Sequence, residues 1–173
     1  MKWVNHVLIG ASTTAVINPM LVPVAALGAT APDWMEWISK LLGRHVKHRT
    51  TTHLLLLWLA GFVGALFLDP VGLVTAFLWG GLTHILTDAL TVSGVPFSPY
   101  SDRRFHLFGG RLRTGDPGEY VIAFGVMLTC AALVMLFTRE GSGWMPFFYD
   151  WMGLYNHGVI DGSEWRTNRF RFF

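Results

Sequence analysis

The sequence predicts an all-α fold, an integral membrane helical bundle with three to four membrane-embedded helical segments. Hydrophobic residues make up 52% of the 173 residues and charged residues only 14%, whereas about 25% of an average soluble domain is charged. Several apolar stretches approach the ~20 residues that a bilayer-spanning helix needs. The single cysteine rules out a disulfide framework and a cysteine-based zinc site.

The first apolar region, residues 4–31, is interrupted in its middle by Asn18-Pro19 and by Pro23. Proline removes a backbone donor and kinks or ends a helix. Each half is too short to cross a bilayer alone at ~1.5 Å per residue. Two interpretations therefore stay open: one kinked spanning helix, or a re-entrant helical hairpin that enters and leaves on one side.

The next two apolar segments, 53–68 and 71–90, are predicted to form a helical hairpin. Asp69-Pro70 separates them as a tight turn, and Pro70 is suited to open the following helix. The far ends of the two helices then return to the same membrane surface. Residues 119–137 form the last apolar segment that could span.

Loop charges predict the orientation of the chain. Eight of the 13 lysines and arginines lie in segments 32–52 and 91–118, and the positive-inside rule makes their side cytoplasmic. We therefore expect a multi-pass protein of a bacterial-type inner membrane. Residues 1–138 are predicted to form the membrane-embedded domain, with loop 91–118 as a basic lid, and residues 139–173 an aromatic-rich C-terminal tail.

Four ionisable side chains fall at the predicted helix ends. His84 and Asp88 are four residues apart, so they lie on one face of a helix. In the predicted topology, Asp33 and His53 reach the same membrane face. Each residue alone is explained as an interfacial group or a helix cap. Together, imidazoles and carboxylates suit zinc, manganese or iron, and a bound ion would acidify a water molecule.

His6 distinguishes the two interpretations of the first apolar region. In one continuous helix, His6 and Asp33 would lie ~40 Å apart at ~1.5 Å per residue, too far to share an ion. If the region folds back, His6 joins the other candidate ligands. The indoles of Trp3, Trp34 and Trp37 would then share one interfacial belt.

Loop 91–118 is rich in turn residues and carries the candidate substrate-binding residues Arg103, Arg104, Arg111 and Arg113. Arginine binds phosphate through paired hydrogen bonds. It also anchors loops to anionic lipid headgroups. Both interpretations stay open, and a phospholipid substrate would satisfy both.

Taken in order, these residues resemble the YdjM-like family of membrane-bound metal-dependent hydrolases. The resemblance covers about the first 115 residues. It runs through His6, Pro32-Asp33, His48-Arg49-x-x-Thr52-His53 and His84-x-x-x-Asp88-x-x-Thr91-x-x-Gly94-Val-Pro96. The family is distantly similar to the zinc-dependent phospholipase C and nuclease superfamily. The resemblance implies a phosphoester hydrolase with the metal ligands His6, Asp33, His53, His84 and Asp88, and it adds His48 as a further candidate.

The chain departs from the family pattern near Asp33. The second acidic residue of the family falls at Met35 here, and Glu36 follows it. Zinc is the expected metal, and the number of ions, one or more, stays open.

The predicted function is hydrolysis of a phosphoester in a lipid or lipid-linked substrate at the cytoplasmic membrane face, with Asp33 and Asp88 as catalytic residues that bridge metals or act as general base. The alternative is a non-catalytic membrane protein that keeps a structural metal or a polar cluster and binds a protein partner through its tail. The net charge of +2 does not indicate nucleic-acid binding.

Overall fold

The computed structural model describes residues 1–43, 49–100 and 103–137, together with Tyr155, residues 157–158 and residues 161–168. The described chain is mostly helical, which confirms the all-α part of the predicted fold class. The helices are α1 (Trp3–Ile17), α2 (Val22–Gly28), α3 (Ala31–Leu41), α4 (Leu55–Leu68), α5 (Leu73–Asp88), α6 (Pro117–Phe137) and α7 (Gly162–Asn168). Two short strands, β1 (Val95–Pro96) and β2 (Arg104–Phe105), pair antiparallel.

The first apolar region folds back on itself at the predicted break. Asn18 ends α1 with an extended backbone, and its side chain accepts a hydrogen bond from the Met20 N–H at 3.0 Å. Pro19 opens a short 3₁₀ turn, because its fixed φ suits the first position of a helix. At the far end of the region, the Trp3 indole donates to the Asp33 carboxylate. The single kinked helix is therefore wrong, and the region is a helical hairpin.

The hairpin of α4 and α5 is present as predicted, but its turn differs in detail. The Asp69 carboxylate accepts hydrogen bonds from the backbone N–H groups of Gly72 at 3.0 Å and Thr75 at 2.8 Å. Gly72 has a left-handed conformation with φ of 80°. The expectation that Pro70 opens the helix is therefore wrong: Asp69 caps a helix that begins at Leu73.

Helix α5 is central: it contacts α1, α2 and α4, while α1 also packs against α6. The backbones of α5 and α2 approach closely because α5 has glycine at position 80, where the two helices meet. A Cβ added at Gly80 would lie 2.1 Å from the Ala25 carbonyl oxygen. Small residues at helix–helix contacts allow such close approach of two backbones, especially in membrane proteins.

We expect Gly80→Ala to lower the free energy of unfolding by about 1–3 kcal/mol, because the added methyl group meets rigid backbone. Gly64→Ala in α4 is the matched control, since its added Cβ has no atom within 4 Å. The control is expected to be neutral or slightly stabilising, because alanine favours the helix by up to about 1 kcal/mol. Thermal unfolding in detergent, followed by circular dichroism, measures both.

Helix α6 is, among the described residues, the one helix long and apolar enough to cross a membrane, over Pro117–Leu136. Helix α4 has 14 residues and α5 has 16, or about 21–24 Å at 1.5 Å per residue. A bilayer core is about 30 Å thick. The number of membrane-embedded segments therefore stays a prediction.

Loop 91–118 is attached to the C-terminal end of α5. The N–H of Leu107 donates to the Ala89 carbonyl at 2.8 Å, and the N–H of Leu112 donates to the Leu90 carbonyl at 3.1 Å. These backbone bonds place the loop beside the last turn of α5, where His84 and Asp88 lie. The predicted tail, 139–173, falls largely outside the described residues, and the boundary at residue 138 stays a prediction.

Candidate metal centre

Five predicted ligands from four separate elements meet at one end of the helices. His6 comes from the second turn of α1, Asp33 from the first turn of α3 and His53 from the 3₁₀ turn before α4. His84 and Asp88 come from the last turns of α5. The three imidazoles and the Asp88 carboxylate are buried, whereas the Asp33 side chain keeps 13% of its surface exposed. Asp33 therefore forms the open edge of the cluster.

Hydrogen bonds on the Nδ1 side orient the imidazoles of His84 and His53. His84 Nδ1 lies 2.7 Å from the Ala29 carbonyl oxygen, which can only accept. His53 Nδ1 lies 3.0 Å from Thr52 Oγ1, whose proton goes to Glu36, and 3.1 Å from an oxygen of Glu36. Both Nδ1 atoms therefore donate, and the Nε2 lone pairs of the neutral rings point into the cluster. A metal requires this arrangement of its histidine ligands.

His6 is oriented in the same way by a hydroxyl group. His6 Nδ1 lies 2.8 Å from Thr87 Oγ1. The Thr87 hydroxyl proton is directed to the backbone carbonyls of Thr83 and His84, each at 2.9 Å. The hydroxyl oxygen consequently accepts from His6, whose Nε2 lone pair also faces the cluster. The His6 and His84 rings stack with centroids 3.7 Å apart.

The inward-facing atoms form two overlapping groups that share His84. In the first, His84 Nε2 lies 3.8 Å and His53 Nε2 3.3 Å from Asp33 Oδ1. In the second, His84 Nε2 lies 3.5 Å from Asp88 Oδ2, and His6 Nε2 lies 3.5 Å from Asp88 Oδ1. Within each group the donor atoms lie within 4.8 Å of one another. Tetrahedral zinc holds its ligands about 3–3.5 Å apart, given bonds of about 2.0–2.2 Å.

Unsatisfied atoms mark the centre of the cluster. Within the part of the chain that the structure describes, the buried atoms Nε2 of His6, Nε2 of His84 and Oδ1 of Asp33 have no hydrogen-bond partner. Buried polar atoms are normally paired, and each exception calls for an explanation such as a bound ion. The donor set and its convergence therefore fit a divalent cation.

The protonation of Asp33 and His53 also suits a cation. Burial raises the pKa of the Asp33 carboxyl, but the neighbouring imidazoles of His53 and His84 and the indole of Trp3 outweigh burial and lower the pKa to about 2. Burial, together with His84, lowers the pKa of His53 despite the nearby carboxylates. An ionised carboxylate and a neutral imidazole are the forms that bind metal.

Glu36 also belongs to the site and is buried, although its role was not predicted from the sequence. Only 2% of its surface is exposed. One carboxylate oxygen accepts from the Arg49 N–H at 2.8 Å and the Thr52 hydroxyl at 3.2 Å, and the same oxygen lies 3.1 Å from His53 Nδ1. Glu36 lies three residues after Asp33, so helical spacing places both on the same side of α3. This spacing could have predicted that Glu36 belongs to the site.

Arg49 is the second residue that lacked a role. Its guanidinium is buried and donates to Asp88 Oδ1 at 2.8 Å and to Thr91 Oγ1 at 3.0 Å. Its backbone has a positive φ of 56°, which is uncommon outside glycine and frequent at functional sites. The amino group of Met1 also donates to Asp88 Oδ1. Asp88 Oδ2 therefore remains the oxygen that faces His84.

The arginines of loop 91–118 lie at the surface rather than in the cluster. Arg103, Arg104, Arg111 and Arg113 are exposed. The Arg104 guanidinium donates to the backbone carbonyls of Ser93 and Gly94. Their predicted role in binding phosphate or headgroups stays a prediction. The candidate ligand His48 lies outside the described residues.

The fold and the site define a class: a helical membrane protein with a buried histidine–carboxylate cluster that suits a divalent metal. The chain belongs to the YdjM inner membrane protein family, whose model matches residues 1–160. It is accordingly a protein of the inner membrane. Comparison with curated proteins finds no match, and neither does comparison with solved structures.

Proposed function

We propose that the chain is a metal-dependent hydrolase that cleaves a phosphoester of a lipid or lipid-linked substrate at the cytoplasmic face of the inner membrane. The observation that carries this proposal is the convergence of three imidazole Nε2 atoms and two carboxylates in one buried cluster. Ionisable groups are costly near the membrane and usually have a function there.

The residues that would hold the ion, zinc in the first instance, are His6, Asp33, His53, His84 and Asp88. When bound, the ion would supply a water molecule that ionises near neutral pH and a Lewis acid for the phosphoryl oxygen. The two groups share His84, whose single Nε2 lone pair binds one ion, so each group is a candidate position for that ion. Asp88 is held in place by Arg49 at 2.8 Å, and Asp33 is the carboxylate that a substrate at the open edge would meet first.

The chain supplies positive charge for a phosphate beside this cluster. The Arg49 guanidinium lies against Asp88, and the loop that carries Arg103, Arg104, Arg111 and Arg113 is attached to the end of α5. Arginines stabilise phosphoryl groups through charge-assisted hydrogen bonds. This positive charge and the partly exposed Asp33 favour a catalytic metal centre that a substrate can reach over a structural metal centre that is closed to substrate.

The proposed topology has several membrane-embedded segments, with the cluster on the cytoplasmic side. Helix α6 is the clearest span. The hairpins α1–α2 and α4–α5 are the further embedded segments, because their helices are apolar and both return their polar ends to the cluster. The basic loops at that end support the cytoplasmic assignment by the positive-inside rule.

The test is hydrolysis of bis(p-nitrophenyl) phosphate and of phosphatidylglycerol vesicles by the purified protein, before and after treatment with a chelator. We expect the chelator to abolish hydrolysis and added zinc to restore it, because the chelator removes the ion that would ionise the attacking water near neutral pH. A protein that binds the metal yet cleaves no phosphoester would contradict the hydrolase and favour the structural-metal alternative.

A further inference from the structure

Helix α3 turns its acidic side toward the protein and exposes its apolar side. Glu36 is 2% exposed, whereas Trp37 is 60% and Leu41 is 86% exposed. A water-soluble amphipathic helix has the opposite arrangement. We define the outer face of α3 as Met35, Trp37, Ile38, Leu41 and Leu42, each at least 39% exposed. Apolar surface in water costs about 25 cal/mol per Å², so a partner is needed to cover it.

We infer that the outer face of α3 lies in the headgroup boundary of the lipid bilayer, with the helix axis parallel to the membrane surface. Helix α3 has 11 residues and carries Asp33, Glu36 and Lys40. It is about 17 Å long at 1.5 Å per residue, which is too short for a hydrocarbon core of about 30 Å. A short helix with one apolar face and one polar face is typical of this interfacial position.

The surface around α3 favours lipid over a second copy of the chain. Trp3 is 41% exposed, and its ring centroid lies 5.3 Å from that of Trp37. The outer face thus continues onto α1, where Val4 is 60% exposed. Exposed indoles are typical of the membrane–water boundary. Trp34, predicted to share this belt in a folded-back chain, instead packs inward among the core residues.

The charge at the end of α3 points to the same partner. Lys40 is exposed in the last turn. Basic residues beside an apolar helix face attract anionic headgroups. Two copies of this face packed on each other would bring like charges together, which is unfavourable.

This position places the open edge of the metal centre at headgroup level. Asp33 is the partly exposed carboxylate of the cluster, and its second oxygen accepts a hydrogen bond from the Trp3 indole N–H. Resting on the proposed function, the inference names the substrate class: a lipid whose headgroup phosphoester reaches Asp33 from the bilayer while its acyl chains stay in the membrane.

The experiment places nitroxide spin labels on the full chain in phosphatidylcholine–phosphatidylglycerol vesicles. Leu41→Cys is the test variant and Lys40→Cys, the next residue on the same helix, is its matched control. Leu128→Cys on α6, where Leu128 is 63% exposed, gives the value inside the bilayer. Cys130 is replaced by alanine throughout. Power saturation measures collisions of each label with oxygen, which enters lipid, and with a nickel chelate, which stays in water.

We expect the oxygen-to-nickel ratio at Leu41 to exceed that at Lys40 several-fold and to stay below that at Leu128, because the headgroup boundary is shallower than the bilayer interior. Free access of the nickel chelate to Leu41 would overturn the inference, because the outer face would then lie in water. Low access of both reagents would also overturn it, because protein would then cover the face. The measurement needs neither metal nor turnover, so its failure is distinct from failure of the proposed hydrolase.

Discussion

Replacing His84 with alanine is expected to release the bound metal and to abolish phosphoester hydrolysis. His84 belongs to both groups of donor atoms, so its loss removes one ligand from each. Loss of residues that merely orient a ligand costs about 10–100-fold in metal affinity or activity, and loss of this shared ligand is expected to cost more. Metal content by plasma mass spectrometry and zinc-dependent hydrolysis measure the two effects.

His157→Ala is the control for the His84 variant. His157 is exposed and lies in the C-terminal part of the chain, so its replacement should leave metal content and activity unchanged. Circular dichroism shows whether the His84 variant keeps its helices. A folded His84→Ala protein that holds as much metal as the unaltered chain would show that His84 is not a ligand.

Replacing Glu36 with glutamine is expected to lower metal affinity about tenfold, at the lower end of the range for residues that orient a ligand. Glutamine keeps the size of the side chain but removes the negative charge that His53 Nδ1–H faces at 3.1 Å. The imidazole then becomes a weaker ligand. An amide oxygen is also a weaker acceptor for the N–H of Arg49 and the hydroxyl of Thr52. Competition with a fluorescent zinc chelator measures the affinity.

Glu119→Gln is the control for Glu36→Gln. It tests whether the effect depends on the position of Glu36 in the site or only on the loss of a buried charge. Glu119 in α6 is fully buried, like Glu36, but within the described part of the chain it accepts from the Lys2 N–H and the Asn5 amide and lies 4.0 Å from the Met1 amino group, rather than contacting a histidine. Its variant should keep the metal affinity of the unaltered protein. Equal losses in both glutamine variants would contradict the positioning role of Glu36, because the effect would then follow from removing any buried charge.

The local features of this fold could be predicted from the sequence. The helix break at Asn18-Pro19 follows from the fixed φ and missing N–H of proline. The shared face of His84 and Asp88 follows from helical spacing. The hairpin of α4 and α5 follows from two apolar runs on either side of Asp69. These predictions depend on residues close in the chain, where propensity and periodicity are informative.

The long-range features could not be predicted in the same way. Whether the first apolar region folds back depends on how α2 packs against α5. The backbones of these two helices meet at Gly80, where a side chain would not fit. Glu36 in α3 accepts a hydrogen bond from the backbone N–H of Arg49, which lies 13 residues further along the chain and outside that helix. Spacing within one helix cannot indicate such a contact, although Glu36 shares a side of α3 with Asp33.

The start of α5 shows how one side chain can displace a predicted helix boundary. Proline at the first position of a helix is favourable, and that preference predicted a helix beginning at Pro70. The Asp69 carboxylate instead captures the N–H groups of Gly72 and Thr75. These bonds satisfy backbone N–H groups that have no partner within the helix, and the helix begins at Leu73.

The most direct test of the account is X-ray absorption at the zinc edge of the protein purified from zinc-supplied cells. The account predicts at least one tightly held ion per chain, with nitrogen and oxygen ligands at about 2.0–2.2 Å, the outer-shell scattering of imidazole rings, and no sulfur ligand. A folded protein that retains no metal after gel filtration, or a spectrum without imidazole, would contradict the metal centre on which the proposed function depends.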